Sequence, residues 1–319
     1  MKAVLFDRYG PPEVLTIREI PRPEPDRGEV QVKVAAAAVN PKDALIRAGH
    51  LAVVTGQRFP KPTGADYAGT VTGLGAGVRG LKEGDTVYGM LGFRRNRAAA
   101  EYVVARTEEV ARMPAGLSFE QAASLPLVGL TALQAFRDLG GVGQGSRVAI
   151  NGASGGVGTV AVQIAGILGA HVTALCGESS APLVRGLGAH AVFDYRATAP
   201  VDLPGRYDCF FDVYGNQNLA KIREKLAPRG RYISTTLKLH NFRDHLLTRL
   251  WPGRRGLLVA VSPRANDLAT LARWVEAERL EPVISEVLRL DDIADAHRRI
   301  QSQHTHGKIV LTFDGGSGN

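Results

Sequence analysis

Hydrophobic and polar positions follow one rhythm through the first 120 residues and another beyond Gly145. The early runs KAVLF, EVQVKVAAAAV, AGTVTGLG, DTVYGML and AEYVVA are short and broken by RYGPPE, PRPEPDRGE and LKEGD. Short apolar runs bounded by Gly, Pro and Asp predict strands and turns. Only Lys42–Ala48 and Phe119–Phe136 carry a helical period here, so a compact, mostly β domain is expected.

From Gly145, apolar runs alternate with amphipathic stretches of about a dozen residues. RVAIN precedes the helix GVGTVAVQIAGILG; HVTALC, AVFDY, YDCFFDV, RYISTT and GLLVAV follow, with helices predicted through LVRGLG and over Asn216–Leu226. Strands separated by helices imply right-handed crossovers and a parallel sheet covered on both faces. The expectation is an α/β fold with a doubly wound, six-stranded parallel sheet over residues 121–263. Helices over Asn266–Glu278 and Asp291–Ile300 alternate with PVISEVLRL and KIVLTF, predicting that residues 264–319 return to complete the β-rich domain of residues 1–120.

Where RVAIN ends, Ala153-Ser154-Gly155-Gly156-Val157-Gly158 matches G-x-G-x-x-G except for alanine at the first position. Gly155 would let backbone approach a pyrophosphate, Gly158 would let the helix pack closely, and the helix N-terminus would supply amide donors. A strand before and an apolar helix after are the context this motif requires. The adenosine ribose should then meet LCGESS. Gly177 leaves room for a 2′-phosphate and Ser179 and Ser180 supply hydroxyls, whereas Glu178 opposes one and no Lys or Arg follows within four residues. NADPH is favoured, with NADH possible.

Composition narrows the class. The 319 residues are 45% hydrophobic and 22% charged, as in ordinary globular proteins. The formal charge of +8 comes from Lys and Arg spread along the chain, so anionic ligands are expected rather than nucleic acid. Cys176 and Cys209 lie in apolar runs and build neither a disulfide framework nor a four-cysteine zinc site. No apolar run reaches the length of a membrane span, and a cytoplasmic protein is expected.

Ten segments in order carry a resemblance: MKAVLFDRYGPPEVL, VNPKDALIRAG, PTGADYAGTV, GVRGLKEGDTVYG, AASLPLVGLTALQAF, INGASGGVG, LVRGLGAHAVFDY, DVYGN, LAPRGRYIS and HTHGKIVLTF. Together they resemble the medium-chain dehydrogenase/reductase superfamily, in its zinc-independent quinone oxidoreductase branch. The resemblance implies a GroES-like catalytic domain, a Rossmann NAD(P)-binding domain and an active-site cleft between them. The superfamily's zinc enzymes use Cys, His and Cys ligands. Here Asn40 and Pro41, Ala65, and Leu127 and Val128 stand in the corresponding segments, and Asp66 alone does not make a zinc site. His304 and His306 have no cysteine beside them, so no metal is expected.

Without a metal to polarise oxygen, the implied acceptor is already electrophilic: a quinone or an α,β-unsaturated carbonyl. The resemblance places Asn40 near substrate, with Asp43 and Arg47 on the helix behind it. At i and i+4, Asp43 and Arg47 would also suit a helix ion pair that simply holds the loop. Relatives often carry tyrosines where Leu45 and Leu51 stand. That leaves His50 or water as proton donor and suggests a bulky hydrophobic acceptor. Thr131 corresponds to a position beside the nicotinamide, Tyr195 to one near the ribose, Gly215 to a close backbone approach, and Lys308 to a cofactor contact. For Tyr195 and Lys308, a strand-end aromatic and a solvated charge are the competing readings.

Residues 239–256 mix Leu246, Leu247, Leu250 and Trp251 with arginines, suggesting a lid or a homodimer contact ahead of a membrane surface. A binding protein that keeps the fold and turns its charge to RNA or membranes is the alternative function. Short-chain dehydrogenases are excluded because no tyrosine has a lysine four residues later.

Overall fold

The computed structural model describes residues 1–248, 253–302 and 305–313. The chain forms two compact units, residues 1–127 with 262–319 and residues 128–261.

The first unit is built on Glu29–Val39, an eleven-residue strand buried along most of its length. It pairs antiparallel with Asp66–Leu74 on one side and, on the other, with Tyr102–Arg106 and Lys308–Thr312. The full sheet has seven strands: Ile284–Arg289, Lys308–Thr312, Glu29–Val39, Asp66–Leu74, Thr86–Met90 and Val110–Arg112 in order, with Tyr102–Arg106 off this path. Ala36, Ala37 and Ala38 are buried. Helix Phe119–Ser124 packs over this strand and Asp66–Leu74, where alanine side chains permit a close approach. The core below joins Val30, Val32, Val34 and Val103 to Ile309 and Leu311 of the returning segment.

The return is secured by charge as well as by the sheet. Asp66 is fully buried. Its Oδ2 accepts from Lys308 Nζ at 3.2 Å and Asn40 Nδ2 at 3.0 Å, and its Oδ1 accepts from the Leu127 amide at 2.9 Å. Lys308 Nζ also donates to Asn40 Oδ1 at 2.5 Å and to the Val39 carbonyl at 3.3 Å. A buried carboxylate and a buried ammonium thus satisfy each other through four chain segments.

The second unit is a six-stranded parallel sheet in the order Ala191–Asp194, His171–Cys176, Arg147–Asn151, Tyr207–Asp212, Leu226–Ser234 and Arg255–Leu258. Numbered along the chain, this is the 3-2-1-4-5-6 order of the doubly wound fold, and ligands in that topology bind where the order reverses. Cys176 and Cys209 are free and buried, and desolvation raises the Cys209 thiol to about 12. Both are inert core residues.

Two helical stretches differ from their periodicity. Phe119–Phe136 divides into Phe119–Ser124 and Pro126–Gln134, and Ala135–Gly140 is wound as a π-helix. The first break falls at Pro126, which has no amide to continue the ladder to the Ala122 carbonyl, although Leu125 itself keeps helical backbone angles. The helix expected over Asn216–Leu226 is only Leu219–Ile222 with a 3-10 turn at Arg223–Lys225. Ahead of it, the Asp212 carboxylate accepts from the Gly215 and Gln217 amides at 2.9 Å each and holds residues 215–217 as a loop. Asn218 then caps the helix by accepting from the Lys221 amide.

Lys308→Met leaves Asp66 buried without its counter-ion and is expected to cost about 3–5 kcal/mol in urea unfolding. Combining it with Asp66→Asn should cost less than the two single changes added together, since the second removes the charge the first exposes.

Candidate functional site

In the second unit, Gly152 turns the chain at the end of Arg147–Asn151 with φ +87°. Its amide and that of Ala153 donate to the Leu175 carbonyl at 3.1 and 2.9 Å, tying the loop to the neighbouring strand. Ala153 is fully buried, and Gly155 is the N-cap of helix Gly156–Ile167. A Cβ on Gly158 would meet the Gly152 carbonyl oxygen at 2.1 Å and the Ala153 backbone at 2.7 Å, so the helix approaches this closely only with glycine there. A Cβ on Gly155 would meet nothing nearer than 3.8 Å. The open space lies beside Gly155, on the outer side of the turn.

The amides of Gly156, Val157 and Gly158 have no acceptor among the described residues. Three free donors at the start of a twelve-residue helix beside an open glycine fit a pyrophosphate in both charge and shape. Ser154 completes this turn, partly exposed.

The other second-unit candidates also follow carboxyl ends of the parallel strands. The Tyr195 amide donates to the Cys176 carbonyl at 3.1 Å, and a Cβ on Gly177 would lie 3.6 Å from the Tyr195 ring. Ser179 is exposed, whereas Ser180 is buried and engaged. The Arg196 guanidinium lies over the Tyr195 ring, 5.4 Å from its centroid. No Lys or Arg follows Gly177 within four positions in the sequence, and the cation nearest the Tyr195 ring comes instead from the end of the neighbouring strand Ala191–Asp194. Gly215 has φ +78°, and its carbonyl accepts from Lys238 Nζ at 2.6 Å. Thr131 is buried on helix Pro126–Gln134. Asp212 ties this rim together, accepting from Asn151 Nδ2 at 2.7 Å and the Tyr232 hydroxyl at 2.8 Å as well as from the two amides. The Asn151 bond bridges the two strands at which the order reverses.

In the first unit, Asn40, Asp43 and Lys308 come together with Asp66. Asn40 precedes helix Pro41–Arg47; its amide donates to Asp43 Oδ2 at 3.0 Å, and its carbonyl accepts from the Asp43 amide at 2.9 Å. Its side chain is fully committed: Nδ2 donates to Asp66 and to the Ala38 carbonyl, and Oδ1 accepts from Lys308. Asn40 thus holds the loop and has no amide hydrogen left for a ligand. Lys308 spends its donors on Asn40, Asp66 and Val39, so it is a buried partner of this cluster rather than a solvated charge.

The helix ion pair of Asp43 with Arg47 is not formed. Arg47 is wholly buried and donates to His297 Nδ1 at 3.3 Å, the Gly10 carbonyl at 2.5 Å and Gln301 Oε1 at 2.9 Å. Asp43 instead caps its own helix, and its Oδ1 is buried without a partner. Burial pushes this carboxyl up to about 6, against the pull of Lys42. Lys42 was passed over in the sequence. Its ammonium meets the Phe93 ring at 5.9 Å and accepts no role in the hydrogen bonds around it. Leu45 and His50 are exposed, while Leu51 packs against the core.

A zinc ion does not fit this cluster. Asp66 already holds an ammonium, Asn40 turns hydrogens toward it, and no three His, Cys, Asp or Glu side chains converge among the described residues. His304 lies outside the described residues, as do Leu250 and Trp251. No helix among the described residues is long and apolar enough to cross a membrane.

The sequence and fold were compared with known proteins. The family profile for the alcohol dehydrogenase GroES-like domain matches residues 26–115, and that for zinc-binding dehydrogenase matches residues 187–311. The chain is 33% identical to bovine NAD(P)H oxidoreductase RTN4IP1, mitochondrial, over 98% of its length and 89% of the relative's. It is 32% identical to the chloroplastic NADPH-dependent alkenal/one oxidoreductase of Arabidopsis thaliana, covering 98% of this chain and 79% of that one. The quinone oxidoreductase structure from Coxiella burnetii superposes with a TM-score of 0.90 at 31% identity, covering 98% and 99%. The GroES-like first unit, the Rossmann second unit and these relatives together show that the chain belongs to the medium-chain dehydrogenase/reductase superfamily, in its zinc-independent quinone oxidoreductase branch.

Proposed function

We propose that this protein is an NADPH-preferring reductase of hydrophobic quinones and α,β-unsaturated carbonyls. The observation that carries this is the Lys308 ammonium on Asp66. It fills the acidic centre of the first unit with a cation whose hydrogens are all spent, so the acceptor must be electrophilic without metal polarisation. The relatives' names, covering quinones and alkenals or enones, support the same class. When bound, a nicotinamide cofactor supplies the hydride. Gly155, Gly156, Val157 and Gly158 would hold its pyrophosphate, with Ala153 and Ser154 shaping the turn and Gly215 and Thr131 beside its course. Asn40 positions the loop that meets the acceptor. Asp43, whose carboxyl burial raises to about 6, takes up a proton on that loop as pH falls below neutral.

Preference for NADPH is supported at Gly177, which brings no side chain of its own to the space beside the Tyr195 ring. Ser179 is exposed there, and Arg196 stands across the Tyr195 ring. Ser180, being buried, contributes to the turn rather than to the phosphate. A homodimer is supported by helix Leu239–Thr248. Asn241 and Asp244 face inward, and Leu239, Phe242, Leu246 and Leu247 are exposed. The helix contacts Arg255–Leu258, the last strand at that edge of the sheet.

Purified protein should oxidise NADPH with quinones and enones and not with simple aldehydes; failure to bind either cofactor in a fluorescence titration would end the enzyme reading. Arg196→Ala should weaken NADPH about tenfold and leave NADH unchanged, the loss of a charge-assisted hydrogen bond to phosphate. Leu246→Glu with Leu247→Glu should convert a dimer to a monomer in sedimentation velocity. For Asp43, the folded carboxyl titrates near 6 against 3.8 in a free chain, so the folded state binds more protons between these values. The contribution of Asp43 to stability therefore falls as pH rises through that window, against the opposite contribution of His297, and the stability of Asp43→Asn relative to wild type should rise from pH 4 to pH 7 in urea unfolding.

A further inference from the structure

An open sheet edge presents a row of unpaired amides and carbonyls to any extended chain that meets it. In the second unit, Arg255–Leu258 is the last strand of the sheet among the described residues. It runs parallel to Leu226–Ser234, and the Val259 amide just beyond it donates to the Ser234 carbonyl at 3.0 Å. Backbone groups alternate in direction along a strand, so the amides of Gly256 and Leu258 point outward, away from the sheet.

Both amides are already taken by side chains of helix Leu239–Thr248. Gly256 donates to Thr248 Oγ1 at 2.9 Å, and Leu258 donates to His245 Nδ1 at 3.2 Å. The Thr248 hydroxyl also lies 3.1 Å from the Gly256 carbonyl and 2.7 Å from the Asp244 carbonyl, so its own hydrogen stays within the same contact. His245 and Thr248 stand about one turn apart on one face of the helix. Asn241, a turn earlier, donates to Ser234 Oγ and to the Thr236 carbonyl at 3.1 Å each, fastening the start of the helix to the adjoining strand. Gly256 makes the close approach possible: a Cβ there would lie 3.0 Å from the Asp244 Cβ and 3.2 Å from Leu219.

We propose that helix Leu239–Thr248 seals this edge against strand addition, with His245 and Thr248 standing in for the carbonyls of a neighbouring strand. The chain thereby blocks one mode of its own assembly. For the homodimer read above, on which this consequence rests, two copies meet through Phe242, Leu246 and Leu247 on the outer face of the helix, and the sheet does not run on from one copy into the next.

Amide hydrogen exchange resolved by NMR tests this, with sedimentation velocity over the same dilution series. In wild-type protein Gly256 and Leu258 should exchange well below the rate of an unfolded chain, in single copies as much as in associated ones. Thr248→Val should speed exchange at Gly256 about tenfold and spare Leu258, and His245→Leu should do the reverse, each losing one hydrogen bond. The double variant should associate at dilutions where the wild type does not, the opened edge taking a strand. Fast exchange at both positions in single wild-type copies, or slowing that appears only as copies associate, would overturn the seal. So would a double variant that associates no further than the wild type. A wild type that stays a single copy throughout, with both amides slow, would uphold the seal and remove the homodimer reading.

Discussion

The first unit depends on one buried carboxylate. Asp66 begins a strand, is shut away from water, and is satisfied only by donors from three distant places: Asn40, Leu127 and Lys308. Desolvating a carboxylate costs several kcal/mol, and that cost is offset only when all three arrive. Residues 308–312 pair with Glu29–Val39 and so bring Lys308 to Asp66. The same closure fixes Asn40, and through it the first turn of Pro41–Arg47. The contacts that tie the returning segment to the sheet therefore also hold the Asn40 loop.

Asp212 plays the corresponding part in the second unit, with the opposite consequence for its neighbours. It consumes donors from Asn151, Gly215, Gln217 and Tyr232, fixing the strand ends at the reversal of order. The Gly156, Val157 and Gly158 amides are left unspent. Rigid surroundings with free donors at their centre suit an anion, because little conformational freedom remains to be lost on binding. Gly152 and Gly158 serve this rigidity: one bends the chain at positive φ and the other lets a helix touch the loop. Gly155 keeps the open side open.

Much of this was legible because it is local. Strand and helix alternation after Gly145 encodes crossovers, and Ala153–Gly158 in its strand-to-helix setting encodes the turn. What resisted reading was set by partners far along the chain. Asp43 and Arg47 have the spacing of a helix ion pair, yet Arg47 turns to Gly10, His297 and Gln301. His297 stays neutral, its pKa held down to about 3 by burial and by Arg47. Nothing near position 47 announces those partners. The short helix at Leu219 is another case, where the Asp212 carboxylate holds Gly215 and Gln217 in a loop and the helix starts only after Asn218. Arg196 was hidden because nearness in sequence stood in for nearness across parallel strands.

Lys308 decides what chemistry is open to the cluster around Asp66. Its ammonium ties Val39, Asn40 and Asp66 together and spends its hydrogens in doing so. A cation is therefore already in place against the buried carboxylate, and it is there as a cross-link. Lys42, in the first turn of Pro41–Arg47, stands against the helix dipole and is held instead by the pull of Asp43 and Asp66. The sequence shows a lysine out of keeping with its helix; the carboxylates that accommodate it come into view only once the strand that begins at Asp66 is in place.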